Sequence, residues 1–145
     1  MLSKATQYAI RALVYIQMQN QKGNRPGFRE IAKETEAPEH FTAKILQTFT
    51  SNNMLEFAKG RGGGFFFDPK AEALQIYEVI RIMEGENYFN HCVFGFKFCD
   101  DKYPCPLHDD FLKIWDQFKE LAKTQTIQSL AQKIEKQEAV LNRPE

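Results

Sequence analysis

The hydrophobic positions in the first fifty residues follow the period of an α-helix in three separate stretches. Residues 3–20 predict a first helix, with Ser3 as the residue that caps its N-terminus. Shorter helices are predicted at about 28–36 and about 38–52, after a turn rich in glycine, asparagine and proline. The apolar side of the third helix consists of Phe41, Ile45, Leu46 and Phe49. Two short helices joined by a tight turn form a helix-turn-helix, whose second helix can enter a major groove, although packed helix pairs without that role are commoner.

Two short apolar segments with a glycine-rich sequence between them follow the third helix. Residues 54–58 and 64–68 flank the sequence Lys-Gly-Arg-Gly-Gly, which predicts a β-hairpin with a basic tip. Glycines permit positive φ angles there, and Lys59 and Arg61 can reach phosphates or a narrow minor groove. A phosphate-binding loop is a competing interpretation, but the Gly-Lys-Ser/Thr signature of such loops is missing. A helix-turn-helix followed directly by a basic hairpin is typical of a winged helix.

The second half of the chain predicts three further helices, at about 74–83, 107–124 and 126–136. The helix at 107–124 carries a stripe of apolar residues, namely Leu107, Phe111, Ile114, Trp115, Phe118, Leu121 and Ala122. Such a stripe packs into a core or forms the seam of a dimer. The tail beyond the last helix is predicted to be frayed.

Composition and charge narrow the class of protein. With 145 residues, 43% of them hydrophobic, the chain can bury a substantial core. The formal net charge is zero, but residues 1–70 hold ten Lys and Arg against six Asp and Glu, and residues 71–145 hold nine against thirteen. This asymmetry favours a polyanion contact in the first half only, although ordinary surface variation is the simpler explanation of charge alone. No signal peptide or membrane-spanning run is visible, so we expect a cytoplasmic protein whose three cysteines stay reduced.

All three cysteines and two of the three histidines fall within residues 91–108. Cys92, Cys99, Cys105 and His108 follow the spacing Cys-x6-Cys-x5-Cys-x2-His. Thiolates are the usual ligands of iron–sulfur clusters, and three thiolates with one imidazole also make a zinc site, although the close Cys-x2-Cys pairs of structural zinc are absent. Three thiols without a cofactor are a third interpretation, in which His108 is a solvent-facing residue at a helix start. His91 is expected on the surface, and His40 at a DNA contact or on the surface.

In their order along the chain, these motifs resemble the winged-helix regulators typified by the iron–sulfur cluster regulator IscR and the nitric-oxide-sensing repressor NsrR. The shared motifs are the opening Leu2-Ser3-Lys4-Ala5-Thr6-Gln7-Tyr8-Ala9-Ile10-Arg11-Ala12-Leu13, the wing Lys59-Gly60-Arg61-Gly62-Gly63-Gly64-Phe65, the helix end Val79-Ile80-Arg81-Ile82-Met83-Glu84-Gly85, the three spaced cysteines, and Thr126-Ile127-Gln128-Ser129-Leu130. The likeness covers nearly the whole chain, and the wing and the cysteine triplet are its most specific parts.

The resemblance implies a homodimeric transcription factor that binds a double-stranded DNA operator and holds an iron–sulfur cluster, [2Fe–2S] or [4Fe–4S], with zinc as the alternative. The implied ligands are Cys92, Cys99, Cys105 and His108, of which the histidine matches a ligand of the iron–sulfur cluster regulator. The candidate DNA contacts are Arg29, Glu39, His40, Thr42, Ala43, Lys44, Lys59, Arg61 and Gly62.

Three departures from the family pattern affect what can be carried over. Ala43 stands where the iron–sulfur cluster regulator has a discriminating glutamate, so the operator preference need not be shared. Gln7 stands where the nitric-oxide sensor has an aspartate that completes its cluster from the partner subunit, and an amide is a poor iron ligand. The gap between the first two cysteines is also one residue longer than is usual in the family.

The predicted fold is mainly α with a small β-hairpin. A winged helix-turn-helix domain is expected at residues 1–85, a cysteine loop that binds the cluster at 86–106, and a long dimerisation helix with a C-terminal helix at 107–145. Because the loop lies between the DNA-binding domain and the dimer helix, a bound cluster would set operator affinity by fixing the start of that helix. A zinc-bound or metal-free repressor that senses thiol oxidation is the alternative within this class. The rival classes are a small iron–sulfur redox protein and a winged helix that binds protein; no enzyme active site is expected.

Overall fold

Six α-helices and one antiparallel hairpin make up the computed structural model, which describes residues 1–145. The helices are α1 (Lys4–Gln21), α2 (Phe28–Glu34), α3 (Glu39–Ser51), α4 (Ile76–Glu84), α5 (His108–Thr124) and α6 (Ile127–Glu135). The hairpin consists of β1 (Glu56–Ala58) and β2 (Gly64–Phe66), and a short 3-10 helix, Tyr88–Asn90, precedes the cysteine loop. The predicted fold class, mainly α with a small β-hairpin, is confirmed, and each predicted element is present with its ends within two residues.

Helix α1 is the central helix of the fold because it is apolar on several faces. Every residue from Ala12 to Ile16 is buried, which requires neighbours around most of its circumference. Helices α2, α3, α4 and α6 supply those neighbours. The helix begins as predicted, since the Ser3 hydroxyl accepts a hydrogen bond from the Thr6 N–H at 3.2 Å. No helix of the chain combines the length and apolar character that crossing a membrane requires.

Helices α2 and α3 pack on each other and on α1 to form the helix-turn-helix. Ile31, Leu46 and Phe49 are fully buried between them. The turn that joins them is ordered by Thr35, a buried residue whose hydroxyl donates to the Ile31 carbonyl at 2.7 Å. Glu36 follows with a φ of 56°, which reverses the chain direction before α3. The relative angle of the two helices is therefore set by core packing and by a hydrogen-bonded turn.

The two strands pair in the register Glu56 with Phe66, Phe57 with Phe65 and Ala58 with Gly64. Gly64, with a φ of 146°, lies so close to the α1–α2 turn that a Cβ on it would be 2.1 Å from the Arg25 carbonyl oxygen. The hairpin therefore rests directly on that turn rather than standing free of the domain.

The C-terminal residues return to the N-terminal domain. The Ile127 N–H donates to the Leu74 carbonyl at 2.8 Å, which ties the start of α6 to the residues before α4. The tail, predicted to be frayed, is instead tied back: Arg11 hydrogen-bonds to Asn142, whose Nδ2 donates to the Glu34 carbonyl at 2.7 Å. These bonds hold the tail against both α1 and the end of α2.

Candidate DNA interface and cysteine loop

One side of α3 faces solvent and carries most of the candidate base-reading residues. Glu39, His40 and Lys44 are exposed, and Ala43 is half-buried. Gln47, exposed one turn further along, belongs to the same side and can be recognised from its helical spacing to Ala43. This surface offers a carboxylate, an imidazole, an ammonium group and an amide, all of which can hydrogen-bond to base edges or phosphates.

Two expectations for α3 are wrong. Thr42 is 1% exposed and its hydroxyl donates to the Pro38 carbonyl at 2.9 Å, so its side chain belongs to the core and is not available to DNA. Phe41, assigned to the apolar inner side, is 44% exposed and its ring lies 4.8 Å from that of His40. The other predicted inner residues, Ile45, Leu46 and Phe49, are buried as expected, so the difference is confined to the first turn, where Thr42 packs inward and Phe41 lies at the edge of the buried side.

Arg29 lies at the start of α2, next to the beginning of α3. Its Nε is 4.0 Å from Glu39 Oε2, and the two side chains are 78% and 62% exposed. An ion pair this open contributes little to stability, so both groups remain available to a charged partner.

The tip of the hairpin carries two cationic side chains, and its backbone adopts positive φ angles that favour glycine. Lys59 and Arg61 are exposed, and neither makes an ion pair within the protein. Gly60 and Gly62 have φ angles of 89° and 76°, in the left-handed region that favours glycine. The Gly63 N–H closes the turn on the Gly60 carbonyl at 3.0 Å. The tip is therefore a narrow, positively charged loop.

The cysteine loop places the three thiols near enough for them to influence one another's pKa. Cys92 and Cys105 are buried, and the interaction of their thiols lowers the pKa of Cys92 and raises that of Cys105. Burial alone would raise the pKa of Cys92, but the backbone N–H groups of residues 94–96 point at its sulfur and hold the pKa below its ordinary value. Burial and the neighbouring Cys92 thiol raise the pKa of Cys105, and burial and the charges of both other cysteines raise that of Cys99. Backbone N–H groups directed at sulfur are a common feature of iron–sulfur sites.

His108 does not join the thiols in this structure. It is 7% exposed, and its Nε2 lies 2.8 Å from Asp101 Oδ1. No set of three His, Cys, Asp or Glu side chains is arranged to hold a single metal ion. The donor chemistry of the three thiols fits an iron–sulfur cluster. The contact with Asp101 uses Nε2 of His108, so its Nδ1 is the ring nitrogen that would serve as a fourth ligand. The Asp101 contact, seven residues away, could not be recognised from the cysteine spacing.

His91 packs into an aromatic group instead of facing solvent. Its ring lies 4.8 Å from that of Trp115, and its Nδ1 is hydrogen-bonded to the Tyr88 carbonyl. The expectation of a surface position is therefore only partly met, since the residue is half-buried. The contact links the start of the cysteine loop to α5.

Helix α5 has one buried and one exposed apolar side. Trp115 and Ala122 face the core with exposures of 4% and 0%. Leu107, Ile114 and Leu121 are 39%, 44% and 54% exposed. These three residues are separated by seven positions each, and half-buried Phe111 and Phe118 lie between them. This is the heptad spacing of a helix–helix seam.

Comparison with known proteins identifies the family. Residues 2–133 match the model of Rrf2, described as an iron-dependent transcriptional regulator. The chain belongs to the Rrf2 family. The resemblance to IscR-type regulators is confirmed at this level, and members are transcriptional regulators rather than enzymes, which removes the small redox protein from consideration.

Individual relatives agree with this assignment. The chain is 32% identical over 108 residues to protein aau3 of Rhizobium meliloti (strain 1021), covering 74% of this chain and 66% of that protein, slightly under two thirds of its length. Among solved structures, CymR (YrzC), the global cysteine regulator of B. subtilis, has a TM-score of 0.72 at 17% identity, covering 91% of this chain and 96% of CymR. T. potens IscR also has a TM-score of 0.72, at 14% identity, covering 97% and 92%. At these identities the two structures show the shared winged-helix fold of this Rrf2 protein.

Proposed function

We propose that this Rrf2 protein is a homodimeric regulator whose affinity for a double-stranded DNA operator is set by an iron–sulfur cluster on Cys92, Cys99 and Cys105. The main support is the loop immediately before α5, where the Cys92 and Cys105 thiols are buried and backbone N–H groups lower the pKa of Cys92. In this proposal residues 1–85 bind DNA, residues 86–106 hold the cofactor and residues 107–145 form the dimer contact.

The DNA-binding role is supported by the two exposed polar elements of the N-terminal domain. The solvent side of α3 would enter a major groove, with Glu39, His40 and Lys44 near base edges. Lys59 and Arg61 at the wing tip would contact phosphates or the adjacent minor groove, where the glycine backbone permits close approach. Thr42 is not part of this interface, because it is buried.

The dimer is supported by the exposed side of α5. Leu107, Ile114 and Leu121 form an apolar line that the same chain leaves 39–54% exposed. Pairing this line with its counterpart in a second copy would bury it and would fix the distance between two DNA-binding domains. Palindromic operators with regularly spaced half-sites are the expected targets.

The cofactor would act through the short connection between the loop and α5. When bound, a cluster supplies one-electron redox chemistry and a site of attack for nitric oxide. Cys105 lies three residues before His108, the first residue of α5, and the His108 N–H donates to the Cys105 carbonyl at 3.0 Å. A cluster bound to the Cys105 sulfur would therefore also fix the first turn of the proposed dimer helix. Releasing Cys105 would loosen that turn and change the spacing of the DNA-binding domains.

The cofactor hypothesis is tested by anaerobic purification, followed by a visible absorption spectrum and counts of iron and acid-labile sulfide. We expect a coloured protein that contains both elements. His108→Ala tests the fourth ligand that the family resemblance implies, and we expect it to alter the spectrum, whereas His91→Ala, the control in the same region, does not. A colourless, iron-free protein loaded with zinc would contradict the proposal. Operator binding by holo and cluster-free protein is then compared over a range of salt concentrations, and equal affinities would rule out control by the cluster.

One observation favours a second candidate, a metal-free repressor that senses thiol oxidation. The Cys92 and Cys105 thiols are both buried, and each influences the pKa of the other. A peroxide would convert them to a disulfide: the two thiols lose two electrons and two protons, and the peroxide is reduced to water. Mass spectrometry of peroxide-treated protein distinguishes the two candidates, because a Cys92–Cys105 disulfide in iron-free protein that changes operator affinity would favour the second.

A further inference from the structure

The α1–α2 turn is in direct contact with the wing. The Phe65 N–H donates to the Pro26 carbonyl at 2.9 Å, so the turn adds a backbone hydrogen bond beside β2. A Cβ at Gly64 would collide with the Arg25 and Pro26 carbonyl oxygens, at 2.1 and 2.8 Å. The turn and the wing therefore move as one body, and any group fixed on the turn has a defined position relative to the wing.

Arg25 is such a group. Its guanidinium carbon lies 3.8 Å from the centre of the Phe66 ring, a stacked cation–π arrangement. The residue is exposed and forms no ion pair within the protein. An arginine that stacks on an aromatic ring keeps its planar face occupied while its N–H groups stay free, which suits a phosphate contact.

Arg25 also shares a polar cleft with the wing tip. The cleft has a volume of about 440 Å³, is lined mostly by polar residues, and lies between the turn, the start of α2 and Gly62 of the wing. Its one carboxylate, Glu30, is engaged by the Tyr15 hydroxyl, which donates to Glu30 Oε2 at 2.7 Å. Arg25 is the one positively charged side chain that lines this cleft, and it is therefore the group best suited to bind an anion there.

We propose that Arg25, held flat on Phe66, is a third phosphate-binding cation of the wing, so that the α1–α2 turn and the tip grip the same DNA backbone. This inference rests on the proposed DNA-binding function and adds a contact that wing motifs do not reveal. Arg25 lies more than thirty residues before Lys59 and Arg61 along the chain, and tertiary contacts at Gly64 and Phe65 bring the turn to the wing.

The test measures how operator affinity depends on salt. The probe is a fluorescein-labelled duplex obtained by repeated selection from a random pool on the wild-type protein, titrated between about 50 and 200 mM salt. Each lost phosphate contact lowers the slope of log K against log salt by about 0.9, so Arg25→Ala is expected to lower it by about 1.8 in a dimer. Lys22→Ala, the same change of charge three residues earlier and outside the cleft, is expected to leave the slope unchanged. Equal slopes for Arg25→Ala and wild type, or equal losses for the two alanine variants, would overturn the inference.

Two further variants separate the charge from the stacking. Arg25→Lys and Phe66→Leu both keep a cation at position 25 but remove the planar stack, so affinity is expected to fall while the salt slope is retained. Wild-type affinity for both would show that the stacking on Phe66 plays no part.

The double variant Lys59→Ala with Arg61→Ala distinguishes failure of this inference from failure of the proposed function. If it lowers the slope and Arg25→Ala does not, only the role of Arg25 is wrong. If wild-type protein selects no duplex and binds none in a salt-dependent way, the proposed DNA-binding function itself fails.

Discussion

Asn20, near the end of α1, makes two hydrogen bonds to the wing segment and one to the turn between α1 and α2. Its Nδ2 donates to the Asn24 carbonyl at 2.9 Å and to the Phe65 carbonyl at 3.2 Å, and its Oδ1 accepts from the Phe67 N–H at 2.9 Å. Asn20→Ala removes all three bonds from a half-buried site. Since a hydrogen bond contributes a net 0.5–1.5 kcal/mol, roughly, and the bond to Asn24 is exposed to water, we expect the free energy of unfolding to fall by about 1–3 kcal/mol.

The assay combines urea unfolding, followed by circular dichroism, with amide hydrogen exchange. The Phe67 amide is expected to lose protection more than the Leu13 amide in the core of α1, because the wing loosens before the whole domain unfolds. Asn24→Ala is the matched control: it removes one exposed hydrogen bond, from Asn24 Nδ2 to Gln19 Oε1, and keeps the carbonyl that Asn20 uses. A control of this kind is expected to change stability by less than about 0.5 kcal/mol.

Loss of the Asn20 hydrogen bonds is also expected to weaken operator binding without changing the slope of log K against log salt. No charge is removed in Asn20→Ala, so the number of phosphate contacts can stay the same while the wing samples more positions. Two results would refute the reasoning: an unfolding free energy for Asn20→Ala no lower than that of Asn24→Ala, or uniform loss of exchange protection across Phe67 and Leu13.

Three other variants test separate parts of the structure. Burial alone would raise the pKa of Glu84, but hydrogen bonds from the start of α1 hold that pKa below its ordinary value. The ionised carboxylate therefore stabilises the fold at pH values above the ordinary carboxyl pKa. This stabilisation is lost as the pH falls through the lowered pKa of the folded state. The difference in unfolding free energy between wild type and Glu84→Gln is therefore expected to be widest near neutral pH and to close in acid. Leu121→Glu is expected to yield monomers in sedimentation velocity, whereas Leu112→Glu, equally apolar but off the seam, leaves the dimer intact. Thr42→Val removes a buried hydrogen bond to Pro38 and is expected to lower stability by about 1 kcal/mol while leaving base selectivity unchanged.

Each of these expectations has an opposing result. A pH-independent gap for Glu84→Gln would mean that the carboxylate charge is not favoured in the fold. Dimers in both leucine variants would move the interface away from Leu121. If Thr42→Val changed the preferred operator sequence, Thr42 would contribute to DNA recognition after all.

Hydrophobic periodicity was sufficient to predict most of the backbone. Helix α5 was expected at about 107–124 and spans His108–Thr124, because its apolar side chains recur at spacings that only a helix can place on one side. The hairpin was equally accessible, since Gly60 and Gly62 mark positions of positive φ. Both signals are local, so a single chain is enough to reveal them.

The parts that sequence did not reveal depend on contacts between distant residues. The burial of Thr42 depends on how the first turn of α3 packs, and periodicity leaves the edge of the buried side uncertain by one residue position. The contact of His108 with Asp101 requires a loop conformation that cysteine spacing leaves open. Asn142 contacts Glu34, which lies more than a hundred residues earlier in the chain. A short polar tail has no sequence pattern that predicts such a contact.

The chain contains a single tryptophan, and its position makes it an intrinsic fluorescence probe of the cysteine loop. Trp115 is 4% exposed on α5, and its ring lies 4.8 Å from His91, the residue before Cys92. An imidazole beside an indole quenches its emission to a degree that depends on the distance between the two rings. Any motion that separates the start of the cysteine loop from α5 should therefore change the emission of one fluorophore, so that exchange between loop states can be timed in stopped-flow experiments without a label.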